Sequence, residues 1–178
     1  MNSLSDPGII RAIYRACDAG VDVRLLVRGI CCLRLMHHEN LDVRSIVGRF
    51  LEHARAYVFE NGGDPEVLIG SADLMQRNLD KRVELTAPVK DPAIRREIIS
   101  ILETQWQDNR QAWRLTEDDT YQRVVNDLPP VNAQQVFIER AQRAALAAGD
   151  GVIEPPALQE TPGTMPVEPP EPAVQVGP

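Results

Sequence analysis

The sequence predicts an α/β fold, one lobe in which helices flank a mixed sheet. Two capped helices with a strand-like segment between them predict it. Asp6-Pro7 and Asp91-Pro92 each set a capping carboxylate before a proline at the first helical position. Between them, Val21, Val23, Leu25 and Val27 recur with the two-residue period of a strand. Helical and β-rich segments alternate from residue 5 to 115, the pattern of helices packed on a sheet.

After Asp6-Pro7, Ile10, Ile13, Tyr14 and Cys17 follow at helical spacing and Gly20 supplies a stop. The strand at 21–27 ends at Arg28-Gly29. "CCLRLMHHENL" reads as a loop, "DVRSIV" as a short strand and "GRFLEH" as a helical turn. "ARAYVFE" is a second clear strand, closed by the turn residues "NGGDP". "EVLIGSAD" is a strand running into Gly70, "LMQRNLD" a connector and "KRVELTAPV" a fourth strand. The second capped helix carries Ile94, Ile98, Ile101, Leu102 and Gln105 or Trp106 on one stripe. "NRQAWRLT" reads as a last strand or an extended segment. Val136, Ile138, Ala141 and Ala145, ending at Gly149, mark a surface helix. The chain thus divides into a lobe at 1–125, a helical extension at 126–149 and a tail at 150–178. Eight of the 28 residues from 151 to 178 are proline and none is aromatic, so the tail is expected to stay disordered.

The 178 residues carry a net charge of −7, which argues against binding nucleic acid over the whole surface. Arginine is nevertheless dense between Arg24 and Arg55, enough to hold a small anion locally. No apolar run of about 18 residues spans a membrane. "MNSLSDPGII" lacks the basic and apolar regions of a secretory signal. Cys17 and the adjacent Cys31 and Cys32 make an odd count and poor disulfide partners, so a reduced, cytoplasmic setting fits.

Chemistry concentrates around His53. Arg55 lies two residues on, Glu60 seven residues on, and Gly70-Ser71-Ala72-Asp73 follow. The spacing resembles the phospholipase D signature, in which a histidine, a lysine two residues on and an acid five further on precede a Gly-Ser-x-Asn stretch. An imidazole attacks phosphorus or protonates a leaving oxygen near neutral pH. A cation two residues along a strand points to the same face and holds phosphate oxygens. Spacing alone leaves a second reading open: His53 closes a helical turn, Arg55 is a solvated charge, and Gly70 marks close packing. Arg28, at a strand's C-terminal end, suits bidentate phosphate binding, or is a surface arginine. His37, His38 and Glu39 are a weak metal candidate, because adjacent histidines in an extended segment point apart. No phosphate-binding loop of the Walker type is present.

The longer strings "VRGICCL", "RSIVGRFLEH", "FENGG", "GSADLMQRNLDKRVE" and "DPAIRREIISILE" resemble the C-terminal catalytic lobe of the long-chain polyphosphate kinases, in order, from Asn2 to about Ala148. The resemblance implies a phospholipase-D-like lobe. It also implies reversible transfer of the terminal phosphate of ATP to polyphosphate, with magnesium and through a phosphohistidine. It makes Arg28 an ATP-contacting arginine and His53 the second active-site histidine, which contacts ATP phosphates and donates a proton. Arg55 and Ser71 take phosphate-contacting positions. The phosphate-accepting histidine and most magnesium ligands belong to an upstream lobe, and Met1 matches an interior position. The chain therefore reads as a fragment, a split product or a late-start product, expected to be inactive alone. Its expected partners are ATP or ADP, polyphosphate, and upstream lobes or further copies of itself. A non-catalytic ATP- or polyphosphate-binding lobe and a homodimeric phosphodiesterase are the competing readings. Two departures lie beside the site: the loop "CCLRLMHHENLDVRS" is about three residues short, and Leu74 and Gln76 stand where Trp and Pro are common.

Overall fold

The structure is a computed structural model describing residues 1–149, so the Pro-rich tail lies outside the described residues. Asp6 caps α1, Pro7–Asp18, by accepting from the Ile9 amide at 2.8 Å. The alternating segment forms β1, Val23–Leu26, and "DVRSIV" lies in β2, Leu41–Ile46. These strands pair in parallel, with Val23 opposite Leu41. Parallel neighbours need a crossover of about a dozen residues or more. Residues 27–40 supply it as a loop that buries Leu33 and Leu35.

Next come β3 (Ala56–Phe59), β4 (Glu66–Gly70), α2 (Gln76–Lys81) and β5 (Thr86–Pro88). Asp91 caps α3, Pro92–Trp106, by accepting from the Ala93 and Ile94 amides. Strands β6 (Ala112–Leu115) and β7 (Tyr121–Arg123) and helix α4 (Ala133–Ala148) complete the described chain.

The strands form two sheets where the sequence suggests one. The larger is mixed, in the order β1-β2-β6-β7; the smaller, β3-β4-β5, is antiparallel. Residues 2–5 stitch them together. Leu4 bridges Cys31 on one side and Leu74 on the other. The Leu4 amide donates to the Ile30 carbonyl at 2.8 Å and the Ser5 amide to the Leu74 carbonyl at 2.9 Å.

Three local expectations change. "GRFLEH" is irregular rather than a helical turn, because the Phe50 backbone bonds to a distant side chain, Gln134. The connector "LMQRNLD" contains helix α2, and β7 pairs with β6 without a strong alternation to announce it.

The core lies against the larger sheet. Leu4, Cys17, Leu25, Val27, Leu41, Val43 and Leu115 are buried together, with Ile10, Ile13 and Tyr14 of α1 packed on them. Each buried valine or leucine contributes about 1.5–3 kcal/mol. The far side of β2 meets the end of α3 through Arg44. Its guanidinium stacks 4.1 Å from the Trp106 ring and donates to the Trp106 carbonyl at 2.7 Å.

The histidine pair diverges. The His37 ring lies 3.2 Å from Glu117, whereas His38 reaches Asp18 and the Leu35 carbonyl, each at 3.0 Å. Both partners of His38 accept and neither donates, so both ring nitrogens must carry protons to satisfy them. The Asp18 hydrogen bond, then the Leu35 carbonyl, raise its pKa, with Glu117 adding a smaller push. A raised folded-state pKa gives stability that is present below the unfolded value of about 6.5 and is lost as pH rises through the folded value. The thermal midpoint of the wild-type chain is expected to fall, relative to His38→Gln, as pH rises above about 6.5. Parallel curves there would refute the linkage.

Candidate functional site

The residues singled out by the sequence converge where residues 1–5 cross between the sheets. Arg28 follows β1, and its Nη2 donates to Asn2 Oδ1 at 2.6 Å. Its Nε is buried with no partner among the described residues. A buried guanidinium nitrogen without an acceptor is costly, and an anionic ligand would remove that cost. Next to it, Gly29 permits a close backbone approach: a Cβ there would lie 2.9 Å from the Asn2 carbonyl oxygen.

Asn2 continues the network, with Nδ2 donating to Asp73 Oδ2 at 3.1 Å. Asp73 pairs bidentately with Arg55, whose Nε reaches Oδ1 at 3.1 Å and whose Nη2 reaches Oδ2 at 3.0 Å. The Asn2 and Ser3 amides also donate to Asp73 Oδ1. Asp73 and Arg55 side chains are 5 % and 11 % exposed, so the pair is largely dehydrated. Burial would raise the Asp73 carboxyl, but the hydrogen bonds from Arg55, Asn2 and Ser3, with the Arg55 charge, overcome it and bring the pKa down to about 2.

Arg55 then meets His53. Its Nη1 lies 2.8 Å from His53 Nδ1 and donates to the His53 carbonyl at 2.8 Å, and its Nη2 lies 3.2 Å from Nε2. A guanidinium only donates, and a neutral imidazole accepts at one nitrogen. Assigning the acceptor to Nδ1, the shorter contact, leaves the proton on Nε2 of an exposed ring. A hydrogen-bonded series, Arg28–Asn2–Asp73–Arg55–His53, therefore links the two residues most strongly implicated by the sequence.

Arg55 and Ser71 are more tightly committed than the motif suggests. With His53 protonated at Nε2, four of the five N–H groups of Arg55 reach acceptors, on Asp73, His53 Nδ1 and the His53 carbonyl. The Ser71 hydroxyl donates to Glu84 and accepts from the Leu85 amide at 3.1 Å. Hydrogen bonds from Ser71 and then Asn78 hold the Glu84 carboxyl below its ordinary range. Direct phosphate contact by Arg55 or Ser71 requires these bonds to open.

Sequence reasoning missed Asn2, Glu52, Gln105 and Gln134. Glu52 accepts from Gln105 Nε2 and Gln134 Nε2, each at 2.7 Å. Nothing in the spacing marks these residues, because their partners lie 53 and 82 positions away. Arg28, Glu52, Ala54, Leu102 and Gln105 line one cleft of about 40 Å³. That holds about one water, whereas small-molecule pockets run to about 300 Å³ or more. A larger concavity of about 360 Å³, lined by Asp64, Glu66, Lys90 and Arg95, contains neither Arg28 nor His53. The carboxylates Asp73, Glu52 and Glu84 are each engaged by protein donors, and no group of three His, Cys, Asp or Glu among the described residues is arranged to hold a metal ion.

The described residues thus form an α/β lobe in which hydrogen bonds join Arg28 to His53 where two sheets meet. Comparison with known proteins identifies the family. The family model for polyphosphate kinase C-terminal domain 2 matches residues 1–134. The polyphosphate kinase 1 of Chlorobaculum tepidum is 49 % identical over 152 residues, covering 84 % of this chain and 22 % of that protein. The Pseudomonas aeruginosa polyphosphate kinase is 46 % identical over 155 residues, covering 83 % and 22 %. The crystal structure of the Porphyromonas gingivalis enzyme superposes with a TM-score of 0.79 at 43 % identity, covering 83 % of this chain and 23 % of that one. The chain belongs to the polyphosphate kinase family and spans about a fifth of the length of the curated relatives it matches.

Proposed function

We propose that this chain is a phospholipase-D-like C-terminal catalytic lobe of a polyphosphate kinase, supplying half of a site that moves the terminal phosphate of ATP to polyphosphate. The observation that carries the reading is the hydrogen-bonded series that joins Arg28 to His53 through Asn2, Asp73 and Arg55. Arg28 would hold nucleotide phosphates through its planar fork. His53, with its proton on Nε2, would donate a hydrogen bond to the oxygen on which charge builds, and would transfer a proton to it only from the imidazolium form, which leaves a neutral ring. Arg55 and Ser71 would support phosphate contact only by opening their bonds to Asp73 and Glu84, and are placed second to Arg28 and His53.

Phosphoryl transfer is mostly positioning and charge stabilisation. The cleft here is too small for a nucleotide, which supports a site completed by another lobe carrying the phosphate-accepting histidine. Val47, Phe50 and Leu51, exposed just ahead of His53, are an apolar surface suited to that contact. Magnesium would enter with the nucleotide, held mainly by ligands outside this chain.

Titration calorimetry with ATP tests the reading. The isolated chain is expected to bind weakly, and Arg28→Ala to lose about tenfold in affinity, the cost of a charged hydrogen bond. The isolated chain with ATP and magnesium is expected to make no polyphosphate. Robust synthesis would overturn the half-site reading, and no heat with either protein would remove the phosphate-binding one.

A further inference from the structure

We propose that Gln134, in the first turn of α4, is a positioning residue for His53, which makes the helical extension part of the site. The proposal rests on the phosphate-facing reading of His53. Gln134 is 5 % exposed, and its carboxamide is spent on the segment just ahead of that histidine. Its Oε1 accepts from the Phe50 amide at 2.9 Å, while Nε2 donates to the Phe50 carbonyl at 2.9 Å and to Glu52 Oε1 at 2.7 Å. A side chain that takes both the N–H and the C=O of one residue does the work of a neighbouring strand. It does so where residues 47–54 lie in neither helix nor strand. Gln105 of α3 holds the other oxygen of Glu52, so two helices fix the residue before His53.

Two further features point the same way. A Cβ on Gly48 would lie 2.6 Å from Gln134 Oε1 and 3.1 Å from its Cδ, so the segment closes on the carboxamide only with glycine there. Behind Gln134, the Ala133 amide donates to Asp108 Oδ2 at 2.8 Å, and Asp108 is fully buried. α4 half-buries Val136, Phe137 and Ile138, but beside Ala133 the side chain it buries fully is the polar Gln134.

The three histidines make the test direct. In the full chain labelled at histidine Cε1, each ring gives one carbon–proton signal from that position, assigned with His37→Gln and His38→Gln. Gln134→Ala is expected to displace or broaden the His53 signal and to raise hydrogen exchange at the Phe50 amide about tenfold. The His38 signal stays in place. Gly48→Ala, which presses on the carboxamide without altering the helix, is expected to do the same and decides the matter if Gln134→Ala does not fold. Gln135→Ala, whose side chain bonds within α4 to Glu139 at 3.0 Å, leaves all three signals unchanged. An unmoved His53 signal in the folded variants, or equal displacement of all three histidines, overturns the proposal. Adding ATP to wild type reports separately on phosphate binding: an unmoved His53 signal there removes that reading and leaves the clamp comparison intact.

Discussion

Replacing Asp73 with alanine is expected to destabilise the chain by about 3–5 kcal/mol, the usual cost of removing one partner from a buried ion pair. The loss has three parts. Arg55, 11 % exposed, would keep its charge without a counter-ion. The Asn2 and Ser3 amides would lose their acceptor, and the Asn2 side chain would lose its link to Arg55. Asp73→Asn is expected to cost less but still to disrupt, because its new amide would face donors from Arg55 or Asn2. Urea unfolding measures the difference. A midpoint close to wild type would mean that the pair contributes no more than an exposed one. Acid gives an independent check. With the Asp73 pKa brought down to about 2, its contribution is complete above the unfolded value of about 3.9 and is lost as pH falls toward 2. Asp73→Asn is therefore expected to flatten the acid limb of stability against pH.

The parts legible in the sequence were those written in neighbouring residues. Asp6-Pro7 and Asp91-Pro92 located α1 and α3, because capping chemistry is local. The alternation around Leu25 located β1, and "DVRSIV" was read as the short strand that is β2. The order Arg28, His53, Arg55 and Asp73 was likewise legible, but their bonding was not. Which donor Asp73 would take depends on residues 1–5 lying between two sheets, a non-local fact. The same cause misled the reading of "GRFLEH", whose helical propensity yields to three hydrogen bonds with Gln134, one accepted and two donated by its carboxamide. "LMQRNLD" failed differently. α2 is one short helix with no side-chain cap, leaving little local signal to read.

The site thus depends on two buried carboxylates on different sides of His53, and the second predicts as large an effect as the first. Asp108 follows α3 and is fully buried. Its Oδ1 accepts from the amides of Arg110, Gln111 and Ala112 at 2.8, 2.6 and 3.1 Å, and its Oδ2 accepts from Ala133 at 2.8 Å. One side chain therefore shapes the turn into β6 and pins the start of α4. Asp108→Ala would leave several main-chain donors without acceptors, each costing about 1–3 kcal/mol where water does not reach. Allowing for water entry at the exposed Arg110, the expected loss is about 3–5 kcal/mol, a fall of about 10 °C in the thermal midpoint. Asp108→Asn keeps one acceptor oxygen but turns an amide toward the Ala133 N–H, so it is expected to recover part of the loss and not all of it. The two carboxylates should also differ in what they release. Loss of Asp108 frees the start of α4 and with it Gln134, so hydrogen exchange should rise first at Ala133, Gln134 and Phe50. Loss of Asp73 should raise exchange first at Asn2 and Ser3. Identical exchange patterns in the two variants would show that both act through general stability, with no division of labour around His53.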